Sequence, residues 1–235
     1  MRPRTAQTLI TVVGLPFEAR LAGNTYGRVI CSSKGQNLEA SLAHTITSEC
    51  RGLISLGVAG GLLPNLAAGA CVVGSEVLWG SARLPTDAEW SQGLLQAIPN
   101  SIYGTIVGVP VPITYAEAKH TLHTITGALA VDMESHIVAS VAAESRLPCV
   151  AIRVISDPAE RSLPQAAITA MRPNGTVNIA KMALSLATHP HEKRACAFLT
   201  PLNVLFSCHR RERQGHEQVR VLGCHWPSPR RGQAS

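Results

Sequence analysis

The order of short apolar runs and helix-forming segments is the feature that most constrains how this chain can fold. Runs rich in Val, Ile and Leu alternate with segments in which apolar residues recur at helical spacing. This alternation predicts a layered α/β domain, because parallel strands need helical crossovers between them. We therefore predict a single three-layer α/β/α domain over residues 1–190, with a mixed, largely parallel twisted sheet.

The predicted elements follow the chain in a regular order. Strands are predicted at residues 8–13, 28–32, 53–56, 71–78, 102–111, 128–131 and 149–155. Helices are predicted at residues 36–49, 114–124, 133–144 and 177–187, and Thr114 with Glu117 has the pattern of a capping box. The uncharged stretch 52–75 is long enough to span a membrane, but its glycines and Pro64 fit strand, loop and strand better.

The basic charge of the chain lies in its last fifth. Residues 1–188 hold 13 Lys and Arg against 12 Asp and Glu, whereas residues 189–235 hold 8 against 3. Segment 191–235 has too little periodic apolar content to fold alone, so we predict a basic tail that is disordered or loosely attached. Its arginines have no aromatic platform beside them, which argues against nucleic-acid binding and leaves peripheral contact with anionic lipid.

Cysteine and histidine usage predicts neither disulfides nor a metal site. The seven cysteines are dispersed without a C-x-x-C pair, which is typical of reduced thiols in the cytoplasm. His120 and His123 lie three apart on a predicted helix, with no third ligand near them in sequence. The Cys-His pairs at 208–209 and 224–225 match none of the usual zinc spacings.

A glycine-rich segment, Gly57-Val58-Ala59-Gly60-Gly61, directly follows a predicted strand. Small residues there allow backbone N–H groups to approach a ligand, and successive amides form a concavity that suits anions. A tight turn between two strands would give the same pattern without any ligand.

Two further segments place carboxylates at predicted strand ends. Asp132, Met133 and Glu134 stand at a strand-to-helix junction, where a carboxylate either accepts hydrogen bonds from two sugar hydroxyls or only favours the helix start. Ser156 and Asp157 end an apolar strand. A desolvated aspartic acid there either donates a proton to a leaving base or begins a turn.

The order and spacing of these three motifs resemble those of the nucleoside phosphorylase and methylthioadenosine/adenosylhomocysteine nucleosidase superfamily. The resemblance covers about residues 8–188. Within the superfamily it is closest to the hopanoid-associated phosphorylases. The shared segments are Gly14-Leu-x-Phe-Glu18-Ala-Arg20, Gly57-x-Ala-Gly-Gly-Leu62, Ala130-Val-Asp-Met-Glu-Ser-His136 and Asp157-Pro158.

The resemblance implies cleavage of the bond between adenine and ribose. The implied reaction is phosphorolysis of adenosylhopane, with inorganic phosphate as co-substrate and no other cofactor. The alternatives are hydrolysis of methylthioadenosine or adenosylhomocysteine, and catalytically silent nucleoside binding. A small-molecule nucleoside, free or lipid-linked, and a second copy of the chain in a homo-oligomer are the implied partners.

The resemblance also implies roles for individual residues near the nucleoside. Glu134 would bind the 2′- and 3′-hydroxyls of the ribose, and Met133 would pack against the sugar, next to Asp132. Asp157 would protonate or hydrogen-bond N7 of the departing purine, with Ser156 beside it.

Three further segments have implied positions around the substrate. Pro112 and Ile113 match the segment that lies along the base. Glu18 and Arg20 fall where relatives carry a water-activating acid or a phosphate-binding arginine. Val58, within Gly57–Gly61, stands where relatives often have a serine that contacts phosphate or the sugar.

Overall fold

The computed structural model describes residues 8–23, 27–32, 37–163, 220–221 and 224–225. Eight of its strands form one mixed sheet: β1 (Thr8–Val13), β2 (Arg28–Cys31), β3 (Cys50–Gly61), β4 (Cys71–Trp79), β5 (Ala82–Pro85), β6 (Ile102–Gly108), β7 (Ala130–Asp132) and β8 (Cys149–Asp157). The helices among the described residues are α1 (Pro16–Ala22), α2 (Leu38–Thr45), α3 (Ala88–Ala97), α4 (Ala116–Thr126) and α5 (Ser135–Glu144).

The strand order of the sheet is β2-β1-β3-β7-β6-β4-β5. β8 pairs with β3 in parallel and with β4 in antiparallel orientation, so β3, β7, β6, β4 and β8 form a closed ring of strands. Most of the pairings are parallel, as the strand–helix alternation requires. The predicted α/β class with a mixed, largely parallel sheet is confirmed.

Both faces of the sheet are covered, which explains why its strands read as nearly continuous apolar runs. In β1, Leu9 and Val13 point to one face and join the core that contains Trp90 of α3. Ile10 and Val12 point to the other face and join the core built with α2 and α5. The two-residue period of the strand therefore divides its side chains between two cores.

The glycine-rich segment is strand and not loop, so the predicted strand end at residue 56 was wrong. β3 continues to Gly61, and Gly57 pairs with Arg153 of β8. Gly60 pairs with Val131 of β7 and with Asp157 of β8. Partners on both edges stabilise an extended backbone that glycine by itself does not favour, so the tertiary pairing overrides the local preference.

Several predicted boundaries also differ from the structure. β6 ends at Gly108, and α5 begins at Ser135. Tyr115, and not Thr114, is the residue that precedes the first turn of α4, and its own side chain makes no capping hydrogen bond. The Ser162 hydroxyl instead accepts the Ala116 N–H at 3.1 Å, and the Thr114 carbonyl accepts the N–H of Leu163 at 2.7 Å, so contacts from a distant segment replace the predicted local cap.

Three elements of the main sheet and its helices were absent from the prediction, namely α1, β5 and α3, as were two short strands in the tail. The predicted helix 177–187 lies outside the described residues, as does the tail apart from β9 (Arg220–Val221) and β10 (Cys224–His225). These two strands pair in antiparallel orientation. No helix in the described ranges is long and apolar enough to cross a membrane.

Candidate active site

The three sequence motifs meet where β7 and β8 end beside β3. Gly60 lies between Val131, which precedes Asp132, and Asp157. Ala59 pairs with Ile155 and Gly60 with Asp157, so Ser156 is an extra residue on β8 at this point. Such bulges re-orient the side chains next to them and are frequent beside active sites.

Asp157 lies at this strand end with a donor on each carboxylate oxygen. Oδ1 accepts the Ser156 hydroxyl at 2.5 Å, and Oδ2 accepts the ammonium of Lys119 from α4. Burial raises the pKa of the Asp157 carboxyl above its usual range, and Lys119 and Ser156 oppose part of that rise. A carboxyl that holds its proton to higher pH is a better proton donor near neutrality.

Lys119 is a functional candidate that the sequence analysis did not identify. Its side chain is fully buried although it carries the charge of an ammonium group. Besides Asp157, Nζ donates to the carbonyls of Pro158 at 3.1 Å and Arg161 at 3.0 Å. In the sequence, Lys119 is one of several polar residues on an amphipathic helix. A lysine exposed to solvent gives the same pattern, so the sequence does not distinguish the two.

Glu134 stands immediately before α5 and faces Gly14 and Ser32. Its Oε1 accepts the Ser32 hydroxyl at 3.1 Å. A Cβ atom at Gly14 would lie 3.0 Å from that same oxygen, so a larger residue at position 14 would crowd the Glu134 carboxylate. Burial, Asp132 and Glu18 raise the pKa of Glu134 to about 7, although Arg153 and Ser32 act in the opposite direction.

Glu18 is buried in the first turn of α1 and reaches the middle of β3. Its carboxylate accepts the backbone N–H groups of Leu15 at 2.8 Å and Val58 at 2.9 Å. A Cβ atom at Gly57 would lie 2.9 Å from Glu18 Oε1, which explains the glycine there. Burial raises the pKa of Glu18, and the two N–H groups and Arg153 lower it in part.

Asp132 is buried under this site and is held by groups of the protein itself. Its carboxylate accepts Arg153 Nε at 2.6 Å, the Ser135 N–H at 3.0 Å and the Ser135 hydroxyl at 2.5 Å. Arg153 Nη2 also donates to Asp132 and to the Ser55 hydroxyl at 2.6 Å. Asp132 thus orients the start of α5, and with it the adjacent Glu134.

The remaining predicted residues differ in how far they are buried. Met133, Pro112 and Ile113 are partly buried, and the side chain of Ile113 packs against the small core that contains Val107 and Val131. Val58 is partly buried, and its side chain packs against the core on the α3 face. The structure brings Glu18 to the site, whereas Arg20 is exposed in the last turn of α1.

Comparison with protein families agrees with this architecture. The model of the phosphorylase superfamily matches residues 26–188. The chain belongs to this superfamily. No curated protein sequence matches it.

Solved structures with the same fold include nucleosidases. One is the 5′-methylthioadenosine/S-adenosylhomocysteine nucleosidase from Helicobacter pylori with butyl-thio-DADMe-Immucillin-A, at a TM-score of 0.57 and 15% identity. It covers 84% of this chain and 98% of the other. The nucleosidase of the same name from Campylobacter jejuni has a TM-score of 0.56 and 17% identity, with 80% and 99% covered. This chain therefore has the same fold as these two nucleosidases.

Proposed function

We propose that this protein hydrolyses the N-glycosidic bond of a 5′-substituted adenosine and releases adenine. The observation that carries the proposal is a pair of carboxyl groups beside β3, both with a pKa raised by burial. Glu18 lies against Gly57, and Asp157 lies against Gly60.

Two such carboxyl groups suit an acid for the leaving group and a base for water. In inverting glycoside hydrolases, one carboxyl group protonates the leaving group and the other activates the attacking water. Asp157 would give its proton to N7 of the purine while the electron pair of the C1′–N bond moves to the base. Water would then bond to C1′ and lose a proton to Glu18, which burial makes a stronger base.

Glu134 supports the same proposal at the ribose. A carboxylate can accept the 2′- and 3′-hydroxyls together, and its negative charge stabilises the positive charge that develops on the sugar. In the folded protein the Ser32 hydroxyl donates to Glu134 Oε1, so this oxygen already accepts an O–H group.

The charges around the site favour water over phosphate as the acceptor. Arg153 is paired with Asp132, and Lys119 is paired with Asp157. A phosphate dianion would therefore meet the carboxyl groups of Glu18 and Glu134, and neither of these two buried cations is free to neutralise it. Phosphorolysis of adenosylhopane, implied by the sequence resemblance, is the rival that the experiment must test.

The decisive experiment measures adenine release from methylthioadenosine, adenosylhomocysteine and adenosylhopane, each with and without inorganic phosphate. We expect turnover that is independent of phosphate, with a free ribose as the second product. Turnover that requires phosphate and yields a ribose 1-phosphate would replace hydrolysis by phosphorolysis. Tight adenosine binding with no release from any substrate would identify a silent nucleoside-binding protein.

A further inference from the structure

Lys119 occupies a position that helix formation does not explain. It lies near the N-terminus of α4, where the helix dipole disfavours a cation, and its side chain is fully buried. A buried ammonium is costly unless it is paired and hydrogen-bonded. The contacts of Lys119 must therefore account for its presence.

Those contacts surround the end of β8. Nζ donates to the Asp157 carboxylate, to the carbonyls of Pro158 and Arg161, and at 3.4 Å to the carbonyl of Asp157. The same segment is joined to the start of α4 by the Ser162 hydroxyl, which accepts the Ala116 N–H at 3.1 Å. One ammonium thus binds the carboxylate and the loop that follows it.

We propose that Lys119 is the positioning residue of Asp157: it orients the acid toward the purine and stabilises the negative charge that Asp157 acquires when the base leaves. This inference rests on the proposed function of Asp157. When the Asp157 proton moves to the purine nitrogen, the carboxyl becomes a carboxylate already hydrogen-bonded to Lys119 and Ser156. Lys119 keeps its own protons throughout, so the step changes charge only on Asp157 and the base.

The charged neighbours of Asp157 are few. Lys119 is the contacting group from α4, and the glycines of β3 bring no charge. In the following loop, Glu160 is exposed and accepts the N–H of Asn65, and Arg161 contacts Lys119 through its carbonyl and not its guanidinium. A change in the pKa of Asp157 after removal of Lys119 is therefore attributable to the lost ammonium.

The test is Lys119→Met, with purine release measured from pH 5 to 10. Activity falls at high pH when Asp157 loses its proton. Removing the neighbouring cation should move this alkaline limb upward by about 1–3 pH units and weaken the acid. We expect kcat for adenine release to fall about 10–100-fold, with KM changed little.

A second substrate separates the acid from the fold. A 4-nitrophenyl riboside releases nitrophenolate, which needs no proton, so Lys119→Met and Asp157→Asn should each lose much less turnover on it than on the adenosine substrate. Arg83→Met, which removes an exposed cation paired with Glu76, controls for net charge and should leave both the profile and kcat unchanged. An alkaline limb that stays in place in Lys119→Met, or an equal loss on both substrates, would overturn the proposal.

Folding provides an independent check if the single variant is unstable. Asp157→Asn leaves a buried ammonium unpaired, whereas Lys119→Met/Asp157→Asn removes both charges. We expect the double variant to melt at a higher temperature than Asp157→Asn. Equal melting temperatures would show that the pair does not hold the strand end. Failure of the wild-type protein to release adenine, with the melting order as expected, would refute the proposed function and not the ion pair.

Discussion

The two ends of the candidate site have opposite electrostatic arrangements. At the end of β8, one carboxyl, Asp157, meets one fully buried ammonium. At the end of β7, Arg153 pairs with Asp132, and its charge also partly offsets the rise that burial causes in the pKa of the nearby Glu134 and Glu18 carboxyls. The first end is balanced in charge, and the second has an excess of negative charge.

This difference matches what each end would do. A leaving base needs a proton, and a paired carboxyl can give one and then remain stabilised as a carboxylate. A ribose that develops positive charge is stabilised by surplus negative charge held in a place where water is scarce. Burial, together with this surplus, raises the pKa of Glu134 to about 7, so the ribose end should respond to pH near neutrality.

Asp157→Asn should have the largest effect, because it acts on chemistry and on folding. Turnover of adenine release should fall by about 10²–10⁴-fold through loss of the proton donor. Since Lys119 is then buried without its partner, the free energy of unfolding should fall by about 3–5 kcal/mol. Urea denaturation and single-turnover kinetics measure the two losses. An unchanged unfolding midpoint would show that the pairing of Asp157 with Lys119 does not stabilise the fold.

Arg153→Met should mainly affect stability. It leaves Asp132 buried without its cation and adds to the negative surplus, so we expect a loss of about 3–5 kcal/mol in unfolding free energy. Arg153→Met/Asp132→Asn is the matched control, because it removes the pair and should recover part of the loss. A double variant no more stable than the single one would mean that Asp132 is not the partner that matters.

Glu134→Gln should affect binding more than folding. Each charge-assisted hydrogen bond contributes roughly 1.5–3 kcal/mol, so the variant should bind ribosides far more weakly. It should affect 2′,3′-dideoxy analogues much less, because they lack both donors. Dissociation constants for the two ligand classes provide the measurement. Equal losses would assign Glu134 to the start of α5 alone.

The smallest expected effect is the pH dependence of riboside binding by the wild-type protein. The pKa of Glu134 is raised to about 7, so the carboxylate form that accepts hydroxyls is gained as pH rises through 7 and lost below it. Affinity at pH 6 should be about tenfold weaker than at pH 8. Titration with a nonreactive adenosine analogue measures this, with Glu134→Gln as the flat control. A pH-independent affinity in the wild type would show that the excess negative charge at this end of the site does not affect ribose binding.

Local patterns predicted the strands better than the segments between them. β1, β4 and β8 contain runs of β-branched residues, and these lie close to where the sequence placed them. The continuation of β3 through Gly57–Gly61 was not predictable, because glycine gives no strand signal and the pairing partners come from β7 and β8. The Thr114 cap is absent for a related reason, since the Ser162 hydroxyl from a distant segment accepts the Ala116 N–H at the start of α4.

The α/β class, the carboxylates at the strand ends and the order of the three motifs were all predictable from the sequence alone. These depend on spacing along the chain, which periodicity records. Three features became visible only in the three-dimensional structure. Glu18 reaches β3, Arg20 is exposed, and Lys119 is buried against Asp157. The fate of a charged side chain depends on the partner that meets it in space, and a helix carries a solvated lysine and a buried one with the same local pattern.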